Sequence, residues 1–298
     1  MDLIQPLVSN LQIDCVVGRG GPLKSMHGGV YRISSKMISD YTQSIYSKHA
    51  SNYGAMLSYE IAIQNNSPSF IVNPVTTDEM IPVAKVSGFP NIERKARSHA
   101  LNIKYCAKIA SDSLKKDLSA TRYIIAHFGS GISIASVIAG KIIDTNDALL
   151  GMGPFSVQRA GSLPLAGLIN YIYESKLSKE EIRHKLAKES GFKGYFGTAD
   201  LREIEKNLDK PDYKLIYDAM IFQIAKEIGS QYAVLKGDIS ALILTGGMAK
   251  SKMFIENLTQ NFPFINNKIV YSGSFELEAL VDGANDALLK NIEIQDYV

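Results

Sequence analysis

Apolar positions along the chain follow two periods, and the change from one to the other marks its elements. Short unbroken runs have the length of buried strands: Asp14 to Val17, Val30 to Ile33, and Ser69 to Asn73, the last stopped by Pro74. Longer stretches show apolar residues at helical steps. The spacing predicts helices over Ser35–Tyr46, over Ala55–Ile63 with Asn52 as N-cap, and over His99–Leu114. Residues 75–97, with Pro82, Gly88 and Pro90, read as irregular. Tyr123 to Ser136, YIIAHFGSGISIAS, is an apolar run broken at Gly129-Ser130-Gly131 and resumed as an alternating one, the pattern of a β-hairpin. A further strand and turn are expected from Val137-Ile138-Ala139 into Gly140–Asp144.

Residues 148–164 hold three glycines and two prolines and read as a functional loop. Short helices are expected over Leu165–Tyr173, Ser178–Lys188 and, capped by Asp200, 201–208. The strongest periodicity lies in 213–236, where Tyr217, Ile221, Ile224, Ile228, Tyr232 and Leu235 mark one face. Then come a strand over Ile239–Leu244, a Thr245-Gly246-Gly247 turn, a helix Ser251–Gln260, a strand Lys268–Tyr271 and a helix Phe275–Leu289. Strands alternating with helices predict an α/β architecture.

Composition narrows the class. Of 298 residues, 46% are hydrophobic and 21% charged, as in a globular chain long enough for one large or two ordinary domains. A net charge of +2 argues against nucleic acid as a partner. The opening MDLIQPLVSN has no basic n-region, so a signal peptide is not expected, and the most apolar stretch, 123–143, is too polar to span a membrane. Cys15 and Cys106 have no metal or redox spacing, which suits a reducing cytoplasm, and the five histidines form no metal-type pair.

Two nucleotide fingerprints fail. Gly18 to Ser25, GRGGPLKS, approaches a P-loop but has Leu23 where the glycine before the lysine is required. Gly129-Ser130-Gly131 and Gly151-Met152-Gly153 lack the third glycine of a dinucleotide motif. A glycine hairpin for phosphates combined with a strand–Gly-Gly–helix turn for adenosine, LILTGGMAKSK at 242–252, remains open. Taken singly, each of these is also an ordinary structural turn.

Several motifs in order, VVGRGG (16–21), HASNYG (49–54), RSHALN (97–102), AHFGSGIS (126–133), GPFSVQRAGSLP (153–164) and LTGGMAKSK (244–252), resemble the butyrate kinases. These form the short-chain fatty-acid kinase branch of the acetate kinase and sugar kinase/actin superfamily. The resemblance runs from about Leu11 to the C-terminus. It implies a two-domain actin-like ATPase (ribonuclease H-like) fold, with residues 1–80 plus 276–298 as the acyl-substrate domain and 81–275 as the nucleotide-binding domain. Ligand would then lie in the cleft between them. The implied reaction is ATP plus butyrate, or a branched relative, to acyl phosphate plus ADP, with Mg2+.

The resemblance also implies roles. Arg19 and Arg159 match the family's two arginines, suited to carboxylate and phosphate by their planar fork, although each could be an ordinary ion-paired arginine. His99 matches the active-site histidine, acting by charge or hydrogen bonding; at a helix start it could equally be a cap. Asp78 matches an aspartate near phosphate and magnesium. Glu276 matches a magnesium-site glutamate, with Glu278 close by and the helix dipole as its competing explanation. His127, Gly129, Ser130 and Gly131 match the phosphate hairpin, and Gly246, Gly247 and Met248 the adenosine turn. Asn52 is placed in the acyl pocket or at a helix cap. Family members also carry an Asn-Pro-Gly-Ser-type phosphate hairpin before the VVGRGG position. With no counterpart here, the N-terminal domain is expected to be incomplete, with an unpaired sheet edge. A non-catalytic nucleotide-binding remnant and an acetate kinase are the alternatives, a sugar kinase of the same superfamily a further one, and a homo-oligomer is expected by family analogy.

Overall fold

The computed structural model describes residues 12–47 and 49–298, so the MDLIQPLVSN stretch lies outside the described residues. The chain divides into two compact units. One comprises Met1–Glu79, Ala100–Asn102 and Phe275–Val298; the other comprises Met80–His99 and Ile103–Ser274.

The first unit carries a four-stranded sheet. Strands β1 (Val16–Gly18), β2 (Val30–Arg32) and β3 (Ser69–Val72) stand where the apolar runs place them. A fourth strand, β9 (Ile294–Gln295), pairs parallel to β2 at the sheet edge, in the order β1-β3-β2-β9. Two polar-flanked residues carry too little periodicity to announce a strand. Helix α1 (Ser35–Thr42) is capped by Ser34, whose side chain accepts from the Met37 N–H. Helix α2 (Asn52–Gln64) begins at its expected cap. Ser51 is the N-cap, and Asn52 is the first helical residue, its Nδ2 donating to the Ser47 carbonyl at 3.0 Å. Helix α11 (Glu276–Leu288) closes the unit, with Gly283 set against Val72 of β3.

The second unit is built on a five-stranded sheet. It contains β4 (Arg122–Phe128), β5 (Ile132–Ile138), β6 (Lys141–Thr145), β7 (Ala241–Gly246) and β8 (Lys268–Ser272), in the order β6-β5-β4-β7-β8. β4 and β5 form the expected hairpin, antiparallel from Arg122↔Ile138 to Phe128↔Ile132. Val137 and Ile138 belong to β5 and do not start a new strand; the turn falls at Ala139-Gly140, both at positive φ. β7 joins β4 in parallel, which sets His127 beside Thr245.

Helix α9 (Pro211–Val234) packs on this sheet through Tyr217, Met220, Ile221, Ile224 and Ile228, all buried, while Tyr232 is half-buried. The stripe also carries Gln231, a polar residue the apolar pattern skips. It accepts from Ser136 Oγ at 2.7 Å and donates to Asp144 at 3.2 Å. Asp144 pairs with Arg94 at 2.9 Å, and Arg94 donates to the Ala84 carbonyl at 2.6 Å. This network ties down the segment read as irregular, which contains one short helix, α3 (Pro82–Lys85). The remaining helices are α4 (Ala100–Ser113), α5 (Leu165–Glu174), α6 (Lys179–Lys188, with a Ser178–Glu181 capping box), α7 (Gly191–Phe196), α8 (Leu201–Glu205) and α10 (Lys252–Thr259). Of these, α7 had no counterpart in the sequence pattern. Among the described residues no helix is long and apolar enough to cross a membrane.

Gly246 ends β7 at φ +97°, and a Cβ there would stand 2.3–2.8 Å from the Phe128 backbone. Only glycine fits both conditions. Gly246→Ala is expected to cost at least about 1–3 kcal/mol, read as a lower urea midpoint. An unchanged midpoint would contradict this packing.

Candidate functional site

In the first unit the VVGRGG loop is pressed onto the start of α2. A Cβ on Gly18 would lie 2.2 Å from Ser58 Oγ and 2.4 Å from the Gly54 carbonyl, and one on Gly21 would lie 2.0 Å from Asn52 Oδ1. These glycines therefore serve close packing of loop on helix, which fixes the backbone from which Arg19 projects. Arg19 Nη1 meets Glu276 Oε2 at 2.9 Å, with side-chain exposures of 40% and 26%. A pair this exposed is worth about 0–1 kcal/mol, so Arg19 can exchange Glu276 for a substrate anion at little cost. The sequence singles out both residues without showing that they meet.

Asn52 is buried and its Oδ1 has no hydrogen-bond partner, while its side chain makes no helix cap. Asp78 accepts from Ser25 Oγ at 2.7 Å, a contact that the P-loop comparison at 18–25 passes over. Among the described residues no group of three His, Cys, Asp or Glu side chains could cage a metal. Glu276 has one oxygen on the Arg19 guanidinium. Magnesium would fit here as part of the MgATP substrate, held mainly by phosphate and water with one or two carboxylates.

The second unit gathers the other residues at one end of its sheet. Because β4 and β7 are parallel, the hairpin tip after Phe128 and the turn at Gly246 emerge side by side from the carboxyl ends of adjacent strands. That is where ligands bind in open α/β sheets. The tip closes through a bond from Gly129 N–H to the Gly131 carbonyl at 3.1 Å. Neither glycine takes a left-handed φ. Gly131 is there to admit a cation: a Cβ would stand 1.9 Å from Arg159 Nη1. Ser130 accepts from Ser156 Oγ at 2.5 Å, and Ser156 also receives the Arg159 N–H at 3.1 Å, so the GPFSVQRAG loop is moored to the hairpin.

Arg159 Nη1 donates to the Ala148 carbonyl. Burial draws the guanidinium pKa down, opposed by the nearby Asp147 charge. Its Nε–H is buried with no partner. A partly desolvated cation with an unused donor is suited to receive an anion. Asp147, Ala148, Ser156 and Arg159 line a small cavity under this loop.

Burial also pushes the Asp147 carboxyl above the usual range, against the Leu149 and Leu150 N–H groups and the charges of Arg97 and Arg159. A carboxyl with a raised folded pKa favours the fold while protonated. That contribution is complete below the unfolded value of about 3.9 and fades as pH rises through the folded value. Asp147→Asn, always uncharged, is expected to flatten this part of the stability curve. Superimposable wild-type and variant curves from about pH 3.9 upward would remove the cost assigned to Asp147.

His99 stands at the N-cap position of α4 but makes no side-chain cap. Its ring stacks on His127, with centroids 3.9 Å apart and planes within 11°, and its Nδ1 lies 2.8 Å from Ser133 Oγ. His127 is buried in β4. Gly247 begins a short 3-10 turn, Gly247–Lys250, which holds buried Met248; a Cβ on Gly247 would meet open space. The α10 N-terminus carries a side-chain cap. Ser251 caps it, accepting from Phe254 N–H at 3.1 Å and donating to Glu205 at 2.5 Å.

Comparison with known proteins bears on the family and the fold. The acetokinase family model matches residues 91–269, a span that holds His99, the hairpin, Arg159 and the Gly246-Gly247 turn. Among solved structures, acetate kinase from Porphyromonas gingivalis superposes with a TM-score of 0.77 at 20% identity, covering 92% of this chain and 78% of that one. A propionate kinase from Francisella tularensis subsp. tularensis SCHU S4 gives 0.76 at 21% identity, covering 91% and 79%. Acetate kinase from Entamoeba histolytica gives 0.77 at 19%, covering 95% and 84%. The fold is therefore the two-domain actin-like ATPase fold of the acetate kinases, and by the match to its model over more than half of its length this chain belongs to the acetokinase family.

Proposed function

We propose that this chain transfers the γ-phosphoryl of ATP to the carboxylate of a short-chain fatty acid, butyrate or a branched relative. The observation that carries the reading is the seating of Arg159 against Gly131 at the tip of a phosphate-type hairpin, beside the stacked His99 and His127. A carboxylate oxygen attacks Pγ, the bond from Pγ to the β–γ bridging oxygen breaks, and ADP leaves with that electron pair. Two anions must be brought together and charge spreads over the equatorial phosphoryl oxygens. In this reading Arg159 and His99 stabilise that charge, and Arg19 takes the carboxylate in exchange for Glu276. Glu276 then turns to the magnesium of MgATP, Asp78 serves near the phosphate and metal, and Asn52 lines the acyl pocket. The hairpin glycines admit phosphate, while Gly246, Gly247 and Met248 take the adenosine. The RSHALN and HASNYG forms support butyrate over acetate.

The test is trapping of acyl phosphate with hydroxylamine, offering butyrate, isobutyrate, propionate and acetate in turn with MgATP. The expected result is hydroxamate formation with butyrate or isobutyrate above acetate. Preference for acetate would move the chain to acetate kinase activity. No hydroxamate from folded, ADP-binding protein would leave a nucleotide-binding remnant, and glucose-dependent ADP release would leave a sugar kinase.

A further inference from the structure

Ser133 is fully buried in β5, opposite His127 in the hairpin register. Both hydrogen bonds of its hydroxyl go to a single residue: the His99 backbone N–H lies 3.1 Å from Oγ, and His99 Nδ1 lies 2.8 Å from it. The backbone N–H can only donate, so it occupies an acceptor site of the oxygen. Two arrangements remain for the second contact. In one, the hydroxyl donates to an unprotonated Nδ1. In the other, Nδ1–H donates to the oxygen, and the hydroxyl proton is left with no acceptor in a buried site. An orphaned buried donor costs about 1–3 kcal/mol. An imidazolium, protonated at both nitrogens, would leave it orphaned in the same way.

We infer that Ser133 holds His99 as the neutral imidazole with its proton on Nε2, so that His99 serves the transferring phosphoryl as a hydrogen-bond donor and not as a cation. The second half of this inference rests on the kinase reading above; the first half stands on the geometry alone. Ser133 is then a positioning residue. It acts on the phosphoryl only through His99, whose ring plane is fixed by the stack on His127. Preorganised donors of this kind stabilise charge that develops in the transition state without reorganising during reaction. The choice of a neutral donor leaves the cationic part of the task to the arginines.

The test uses the full, ligand-free chain labelled with 15N-histidine, with His99 assigned by the resonance lost in His99→Gln. Near neutral pH the spectrum is expected to show a protonated Nε2 and an unprotonated Nδ1. In Ser133→Ala the signal should move toward a mixture of tautomers, and kcat for acyl phosphate formation should fall roughly tenfold with little change in KM. Ser133→Thr, which keeps the hydroxyl, should restore both. A wild-type His99 protonated at Nδ1 overturns the inference. So does a Ser133→Ala protein that keeps the Nε2–H tautomer and wild-type turnover, or a Thr variant no better than Ala. The spectrum needs no turnover, so a chain that forms no acyl phosphate ends the kinase reading while the tautomer assignment is still decided by NMR.

Discussion

Arg159→Ala is expected to lower kcat for acyl phosphate formation by roughly 10²–10³-fold while leaving ADP affinity nearly intact. The guanidinium is anchored at one end on the Ala148 carbonyl and set against the backbone of Gly131. Its Nε–H lacks a partner, and Asp147 supplies only part of its counter-charge. Such a group is held at a cost to the folded protein, which is the usual condition of a residue whose partner arrives with the substrate. Nucleotide affinity should survive because the turn at Gly246-Gly247 belongs to other strands and does not depend on this side chain. The measurements are steady-state kinetics with butyrate and calorimetric titration of ADP. Equal wild-type turnover would remove Arg159 from the mechanism, and a parallel loss of ADP binding would make it a nucleotide anchor.

Gly131→Ala should approach the same loss by a different route. The added methyl would lie 1.9 Å from Arg159 Nη1 and 2.6 Å from the Ala148 carbonyl, so it removes the seat and leaves the guanidinium in place chemically but displaced. If that displacement is the whole effect, the double variant Gly131→Ala/Arg159→Ala should turn over no more slowly than the slower single variant. Groups that act as a unit are non-additive in this way. Gly129→Ala is the control, since its nearest contact would be His127 Nε2 at 3.3 Å, and its loss should be much smaller. Multiplying losses in the double variant would show that Gly131 acts on something other than Arg159.

The hairpin at 122–138 is legible in the sequence because two apolar runs flank Gly129-Ser130-Gly131, and the strands of both sheets except β9 follow the apolar runs closely. What the sequence does not reveal is why the glycines are there. A glycine that yields space to a guanidinium nearly thirty residues away looks the same as one that takes a left-handed turn. The boundary between β5 and β6 is hidden for a related reason: Val137-Ile138-Ala139 is uniformly apolar, and the turn is made by Ala139 at φ +50°. The Arg19–Glu276 pair joins residues near opposite ends of the chain, and no local pattern links them. Ser133 reads in the sequence as one more strand position, and only its burial in the hairpin marks it as a serine that needs a polar partner. Asn52 shows the reverse error. Its propensity suggested a cap, and the neighbouring Ser51 took the position.

The central claim is phosphoryl transfer between ATP and a short-chain carboxylate, and the reverse direction tests it most directly. The purified 298-residue protein is given MgADP and butyryl phosphate, and ATP is measured through coupled glucose phosphorylation. The account predicts ATP formation that requires butyryl phosphate, saturates with ADP, and nearly disappears in Arg159→Ala. Absence of ATP from a folded protein that binds ADP would contradict it.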